Sequence, residues 1–127
     1  MTAVDRGRLQ EAIDSAERGT TGRVAVHVMR RETPDALDSA REHLHRAELH
    51  KHPHHNAIIF LVAPKSRRFA VYGDEAIHKI VGDRFWQDVV DEMTPHFKRG
   101  DMTAALEHGI SRAGEQLRLH FPGNDAS

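Results

Sequence analysis

Residues 56–73, NAIIFLVAPKSRRFAVYG, decide the fold because they join the most apolar run of the chain to a tight polar turn. The run NAIIFLVA (56–63) has eight residues and is partly β-branched, which predicts a strand buried on both faces. The polar turn PKSRR (64–68) leads directly into FAVYG (69–73). Two short apolar runs joined in this way predict a β-hairpin.

A further strand is predicted upstream of the hairpin, with a helix between the two. RVAVHVM (23–29) alternates apolar and polar residues and is rich in valine, which is typical of a strand. Thr33 is expected to cap the following helix, and Pro34 to be its first residue. The helix should end near Lys51, because Pro53 disfavours helical backbone at the residue before it. A strand-helix-strand unit of this length predicts parallel, right-handed pairing of the two strands.

The remaining apolar patterns have helical spacing. They predict helices at residues 5–18, 74–81, 84–97 and 102–119. Together the elements predict an α/β fold, a three-layer α/β/α sandwich in which helices flank both faces of a small mixed sheet of three or four strands. We expect one domain over residues 1–127, with its core at roughly 5–120 and a flexible tail at 121–127.

Composition narrows the class of protein. The 127 residues hold 18 Lys+Arg and 19 Asp+Glu, for a net charge of −1 with histidine neutral, so a dedicated nucleic-acid binder is disfavoured. The lack of cysteine excludes disulfides and cysteine-ligated zinc. No apolar run reaches the 18 residues of a membrane span, and the start of the sequence does not have the pattern of a secretory signal. These features predict a soluble, cytoplasmic protein.

Three Gly-Asp pairs, at 73–74, 82–83 and 100–101, each follow one predicted element and precede a helix. Aspartate is among the best helix caps, so a purely structural role accounts for each pair taken alone. If Asp74, Asp83 and Asp101 converge, however, their carboxylates suit Ca²⁺ or Mg²⁺. Glu75 follows the hairpin directly, and Asn56 should lie at the same sheet edge as Asp74. The predicted metal ligands are therefore Asp74, Glu75, Asp83, Asp101 and Asn56.

A histidine-rich stretch, HLHRAELHKHPHHN at 43–56, precedes the central strand. Helical chelation of a metal needs two histidines four residues apart. Within the predicted helix the histidines do not have this spacing, and Pro53 interrupts the pair His50 and His54. The pattern therefore favours a solvated helix end over a dedicated metal site.

The chain resembles the TPM domain family over roughly residues 8–120. The resemblance rests on an Asn before an apolar strand, a basic turn, a strand ending in Tyr-Gly and a closing F-x-x-G-D…G-I pattern. The matching residues are Asn56, Arg67, Arg68, Tyr72, Gly73, Asp83, Phe97, Gly100, Asp101, Leu106, Gly109 and Ile110. The family includes plant thylakoid-lumen proteins linked to photosystem II repair and bacterial proteins, mostly of unknown role.

This resemblance implies an α/β/α fold, a divalent-cation site that binds calcium in some members, and the acid phosphatase activity of the plant branch. The sequence departs from the family at two places. Arg23 stands where the family often has Glu after Thr-Gly, and Asp74-Glu75 stands where it often has Leu-Glu. These departures bear on the phosphatase activity that the resemblance implies and hardly affect the implied fold.

Two functional hypotheses follow. The first is a non-catalytic module that binds Ca²⁺, or alternatively Mg²⁺, or an unknown protein partner. The second is a metal-assisted acid phosphatase that hydrolyses phosphoesters, with Asp74 or Asp83 as candidate acids. Arg67 and Arg68 in the hairpin turn are candidates to bind phosphate, although turn arginines are more often only solvated charges. The sequence contains no P-loop or nucleophile elbow, and no spacing singles out a catalytic residue. The first hypothesis is favoured, because the sequence supplies acids without a nucleophile-base pair.

Overall fold

The computed structural model describes residues 4–51 and 53–123. Helices α1 and α2 alternate with the first two strands, and α3 and α4 follow the hairpin. In chain order the elements are α1 (Arg6–Glu17), β1 (Arg23–Val28), α2 (Ala36–Arg46), β2 (Ala57–Ala63), β3 (Arg68–Gly73), α3 (Glu75–Lys98) and α4 (Met102–His120). Two 3-10 turns, Leu49–Lys51 and Pro64–Ser66, precede and follow β2. None of the helices in the described ranges is long and apolar enough to cross a membrane.

The sheet has the strand order β1-β2-β3. β1 pairs with β2 in parallel, and β2 pairs with β3 in antiparallel register. Both pairings were predicted and are confirmed. Every residue of β2 is buried, as expected of an apolar strand in the middle of a sheet. β3 therefore lies at one edge, with β2 on its inner side.

The helices form a layer on each face of this sheet. On one face, α2 places Ala36, Ala40 and Leu44 against the alternate β2 side chains that include Ile59 and Leu61. On the other face, α1, α3 and α4 enclose the larger core, into which β2 directs Ile58, Phe60 and Val62. The predicted three-layer α/β/α sandwich is confirmed. It follows from the period of two in a fully buried strand, which supplies an apolar side chain to each layer.

An aspartate side chain accepts a backbone hydrogen bond at the start of each of these four helices. Asp5, Asp35, Asp74 and Asp101 are the caps of α1, α2, α3 and α4 respectively. The expectation that Thr33 caps α2 is wrong. Thr33 is buried, and its hydroxyl lies 2.7 Å from Ser39 Oγ, so the helix begins after Asp35 and not at residue 34.

α3 is interrupted at Gly82, whose φ of 76° and ψ of 171° are not helical. Glycine reaches this left-handed φ without steric cost, because it has no Cβ. The break separates a short first segment from a longer second one, close to the predicted boundary between 74–81 and 84–97. Residues 75–81 therefore form a distinct first segment beside the end of the hairpin.

A carboxylate joins α3 to α4. Glu92 Oε1 lies 2.6 Å from His108 Nε2 and accepts a hydrogen bond from Arg112 Nε at 3.0 Å. These contacts, chiefly the one from His108, lower the pKa of Glu92. All three side chains are partly exposed, so the cluster contributes a modest electrostatic link between two helices that already share a core.

The histidine-rich stretch does more than end a helix. His43 on α2 stacks on His27 of β1, with ring centroids 3.8 Å apart. Burial lowers the pKa of both rings. The nearby His43 lowers the pKa of His27 further, and the nearby Arg46 does the same for His43. His52 lies outside the described residues.

The end of α4 is tied to the loop before β1. The Thr20 hydroxyl donates to the Phe121 carbonyl at 2.6 Å, and the Gly123 amide donates to the Gly19 carbonyl at 3.0 Å. Residues 121–123 of the predicted tail thus contact the domain, and residues 124–127 lie outside the described part of the chain.

Candidate functional site

Asn56 and Asp74 lie at the end of the sheet where β2 begins and β3 ends. The Asp74 amide donates to the Ala57 carbonyl at 2.8 Å and so extends the β2–β3 ladder by one residue. Asn56 is fully buried, and its Nδ2 donates to Thr21 Oγ1 at 3.0 Å. Asp74 is also buried, and its Oδ1 accepts a hydrogen bond from the Glu75 amide at 2.8 Å. Both residues lie at one edge, as their spacing predicts.

One oxygen of each of these side chains is buried without a hydrogen-bond donor among the described residues. The two atoms are Asn56 Oδ1 and Asp74 Oδ2. His55 Nδ1 is 3.6 Å from Asp74 Oδ2, which is an ion-pair distance but too long for a hydrogen bond. Burial of such oxygens is costly unless a donor or a cation contacts them. Both are hard donors of the kind that divalent cations prefer.

His55 reaches Asp74 because its backbone adopts a left-handed conformation, with φ of 49°. Its carbonyl accepts a hydrogen bond from the Ala76 amide at 2.9 Å. This bond fixes the end of the histidine-rich stretch to the first turn of α3. A titratable ring is therefore held at the mouth of the site, half exposed, beside a buried carboxylate.

His78 links the two segments of α3 across the break at Gly82. Trp86 Nε1 donates to His78 Nδ1 at 3.0 Å, so that ring nitrogen is the acceptor and Nε2 carries the proton. Nε2 faces Asp83 Oδ1 at 3.4 Å. The side chain of Asp83 is 98% exposed, whereas Trp86 is buried. The arrangement orients the His78 ring and holds an exposed carboxylate at the same end of the sheet.

The other two predicted ligands differ in their placement. Glu75 is the first residue of α3, and its carboxylate contacts Lys79 Nζ at 3.2 Å. Asp101 caps α4 through the Ala104 amide at 3.0 Å, beyond the far end of α3. The intervening helix, at 1.5 Å per residue, separates Asp101 from Asp83 by about 20 Å or more. Among residues 4–51 and 53–123, no three His, Asp or Glu side chains are grouped to hold a metal.

The profile of the TPM domain matches residues 1–116, which is nearly the whole chain. The chain belongs to the TPM domain family. The resemblance inferred from the sequence is thus confirmed. None of the curated proteins matches the chain.

Several solved structures share the fold of this chain. The NMR structure of the BA42 protein from the psychrophilic bacterium Bizionia argentinensis shares 26% identity at a TM-score of 0.83, and the match covers 98% of this chain and 88% of that one. The N-terminal domain of the cg2496 protein from Corynebacterium glutamicum has 14% identity and a TM-score of 0.69, with coverages of 98% and 78%. An N-terminal domain from P. gingivalis has 12% identity and a TM-score of 0.73, with coverages of 95% and 82%. The last two matches show the fold alone.

This TPM domain also has a cleft along the outer edge of β3, next to Asp74. Its volume is about 660 Å³. Residues 69–74 line its floor, Leu37 of α2 forms one wall, and Trp86 and Val90 of α3 form the other. The acidic end of the sheet and the cleft are therefore one continuous surface.

Two histidines beside this site, His55 and His78, are not among the ligands predicted from the sequence. The contact of His55 with Asp74 depends on a positive φ, which the neighbouring residues do not predict. For His78 the sequence does hold a signal. Its position four residues after the Asp74 cap, on the same helical face, was the available signal.

Proposed function

We propose that this TPM domain is a non-catalytic binding module that takes a divalent cation at Asn56 and Asp74, with Ca²⁺ preferred over Mg²⁺. The observation that supports the proposal is the pair of buried oxygens, Asn56 Oδ1 and Asp74 Oδ2, that receive no hydrogen bond from the described residues. Carboxylate and amide oxygens are the side-chain donors that Ca²⁺ takes in proteins. Glu75 follows Asp74 directly and is the nearest further carboxylate in the chain. Asp101 is not part of the proposed site, because α3 separates it from the others.

Charge supports a cation at this position. Asp74 is a buried carboxylate, and the half-exposed ring of His55 lies 3.6 Å from its Oδ2, beyond hydrogen-bond distance. A buried charge is stabilised when a cation or a close donor contacts it. With two or three side-chain ligands and the remainder from backbone or water, we expect weak affinity, with a Kd on the order of 10⁻⁴ to 10⁻³ M.

The test uses two matched substitutions. Asp74→Asn keeps a good helix cap but removes the carboxylate charge, and Asp101→Asn makes the same change at the cap of α4. If Kd is about 1 mM, 10 mM Ca²⁺ adds about 1.4 kcal/mol to the free energy of unfolding. That gain raises Tm by about 5 °C for a chain of 127 residues.

We expect the calcium-dependent rise in Tm in the parent chain and in Asp101→Asn, and its loss in Asp74→Asn. The same titration is read by the fluorescence of Trp86, the only tryptophan in the chain, which donates to His78 beside the site. The proposal fails if the parent chain shows no shift at 10 mM Ca²⁺, or if Asp74→Asn shifts as much as Asp101→Asn.

A metal-assisted acid phosphatase is the second candidate, and it would use the same buried carboxylate. Asp74 Oδ2 is the specific observation in its favour, because a carboxylate oxygen without a donor suits either a nucleophile or a metal ligand. The assay is hydrolysis of p-nitrophenyl phosphate at acid pH with Ca²⁺, Mg²⁺, Mn²⁺ or Zn²⁺. Turnover that Asp74→Asn abolishes and Asp101→Asn retains would replace the binding module by the hydrolase. Absence of turnover under all four ions would exclude it.

A cytoplasmic location and an unidentified protein partner are further parts of the proposal. The location is supported by the composition of the chain, and fractionation of the native cells tests it. Recovery of the protein in the culture medium or the membrane fraction would contradict it.

A further inference from the structure

The outer edge of β3 lies between two helices and pairs with no other strand of the described chain. Residues 69–74 form the floor of the cleft of about 660 Å³ beside it. On the side of α2, Leu37 is 53% exposed even though it is a large apolar residue. On the side of α3, Trp86 and Val90 form the facing wall. An open strand edge with apolar walls is a template for a further strand.

The register shows which peptide groups of β3 face this cleft. The Asp74 amide donates to the Ala57 carbonyl, so residue 74 is in a hydrogen-bonded pair with β2. Such pairs alternate with non-hydrogen-bonded ones along an antiparallel ladder. Residues 72, 70 and 68 therefore direct their N–H and C=O groups to β2. Phe69, Val71 and Gly73 direct theirs outwards, which leaves three donors and three acceptors along the floor.

The two ends of the cleft carry opposite charges. Arg67 and Arg68 stand at the start of β3, where they line the cavities that adjoin this cleft. Glu75 and Asp83 stand at the other end, and both carboxylates are largely exposed. Antiparallel pairing is the more stable and the more common of the two strand arrangements. An antiparallel added strand would place its N-terminal end beside the acids and its C-terminal end beside the arginines.

We propose that this cleft binds an extended segment of a partner protein, added antiparallel to β3, that is basic at its N-terminal end and acidic at its C-terminal end. The backbone of Phe69, Val71 and Gly73 supplies the hydrogen bonds, and Leu37 and Trp86 contact alternate side chains. β3 of a second copy has the same charge order, but it lies between its own α2 and α3. A strand without flanking helices fits the cleft better than a second recessed edge.

The experiment uses a synthetic nonapeptide, RRTVTVTDE, and its charge-reversed counterpart, EDTVTVTRR. Binding to the full chain is measured in EDTA by Trp86 fluorescence and by amide shifts in ¹⁵N–¹H spectra, so that a failure here is distinct from failure of the cation site. We expect RRTVTVTDE to bind with a micromolar Kd and to shift the amides of Phe69, Val71 and Gly73. The reversed peptide should bind about tenfold more weakly or worse.

N-methylation of the peptide distinguishes strand addition from other modes of contact. A single N-methyl group on each central residue in turn should weaken binding about tenfold at every second position, with little change at the positions between. At every second position the peptide N–H faces β3, and a methyl group there removes one hydrogen bond to β3. The double variant Arg68→Glu/Asp83→Lys, both at exposed side chains, should abolish the preference between the two peptides, because Arg67 and Glu75 then leave each end of the cleft without net charge.

Several outcomes would overturn the proposal. They are no binding of either peptide at millimolar concentration, preference for the charge-reversed peptide, or N-methyl effects without the alternation. A concentration-dependent dimer of the chain that the peptide dissociates would assign the edge to a second copy instead. Light scattering of the chain between 10 µM and 1 mM decides that last outcome.

Discussion

Replacement of Leu44 by alanine tests how α2 is held to the sheet. Of the described residues of α2, only Ala36, Ala40 and Leu44 are buried, and Leu44 is the one large side chain among them, with no solvent exposure. Leu37 lies on the same helix but is 53% exposed. The pair therefore offers the same chemical change in two environments of one element.

The expected cost follows from burial. A Leu→Ala change at a fully buried position removes about 2.7–5.0 kcal/mol, because transfer free energy is lost and a cavity remains. The two alanines beside Leu44 cannot extend into the space, so we take about 3 kcal/mol as a lower working value. For 127 residues, the entropy of unfolding is about 270 cal/mol/K, and the corresponding loss in Tm is about 11 °C. Leu37→Ala should cost less than about 0.5 kcal/mol, or about 2 °C.

The assay is thermal and urea unfolding followed by circular dichroism, with both variants measured beside the parent chain. Leu37→Ala also removes one wall of the β3 cleft, so it should weaken peptide binding while Tm stays nearly constant. If Leu44→Ala lowers Tm by less than about 4 °C, or if both variants lower it equally, α2 is not anchored through Leu44. The apolar core described above between α2 and the sheet would then be incorrect.

Three other changes probe different parts of the molecule. Gly73→Ala places a Cβ 2.3 Å from Trp86 Cζ2. We expect the free energy of unfolding in urea to fall by about 1–3 kcal/mol and the emission of Trp86 to shift to the red. An unchanged free energy of unfolding would contradict the contact. The folded state lowers the pKa of His27 and His43, so the free energy of unfolding should be highest above about pH 6.5 and should fall as pH drops below that value. The fall with pH should be less steep in His27→Gln and in His43→Gln. If neither substitution changes its steepness, the two rings are not its cause. Glu92→Gln removes the charge that faces two α4 side chains and should cost less than about 1 kcal/mol in urea, with the difference from the parent chain lost in 1 M NaCl.

The layers of the fold could be predicted because the sequence of β2 is apolar at every position, which requires a covering layer on each face. The apolar run at 56–63 is short and partly β-branched, which favours a strand covered on both faces over a helix, and the short turn after it then predicts the hairpin. The start of α2 could not be predicted in the same way. Thr33 and Asp35 are both good caps, and the choice between them depends on Ser39, whose hydroxyl holds Thr33 in the interior.

The candidate site was predictable only where it depends on strand register. Asn56 and Asp74 lie at the same end of the sheet, because a hairpin brings the start of one strand beside the end of the other. Asp101 resembles Asp74 in its sequence context, since each follows glycine and caps a helix. Its distance from Asp74 depends on the length and direction of α3, which the Gly-Asp pattern does not encode.

The break at Gly82 has a consequence for local unfolding. It divides α3 into two cooperative units, because the continuous i→i−4 ladder that would couple them is interrupted. The first unit, residues 75–81, buries only Ile77, whereas the second buries Trp86, Val89 and Met93. A unit with little buried apolar surface opens at lower free energy than the rest of its domain. We therefore expect the amide protons of residues 75–81 to exchange with deuterium faster than those of residues 86–94. The segment that borders Asp74 would then open and reclose on its own while the three layers of the domain stay intact.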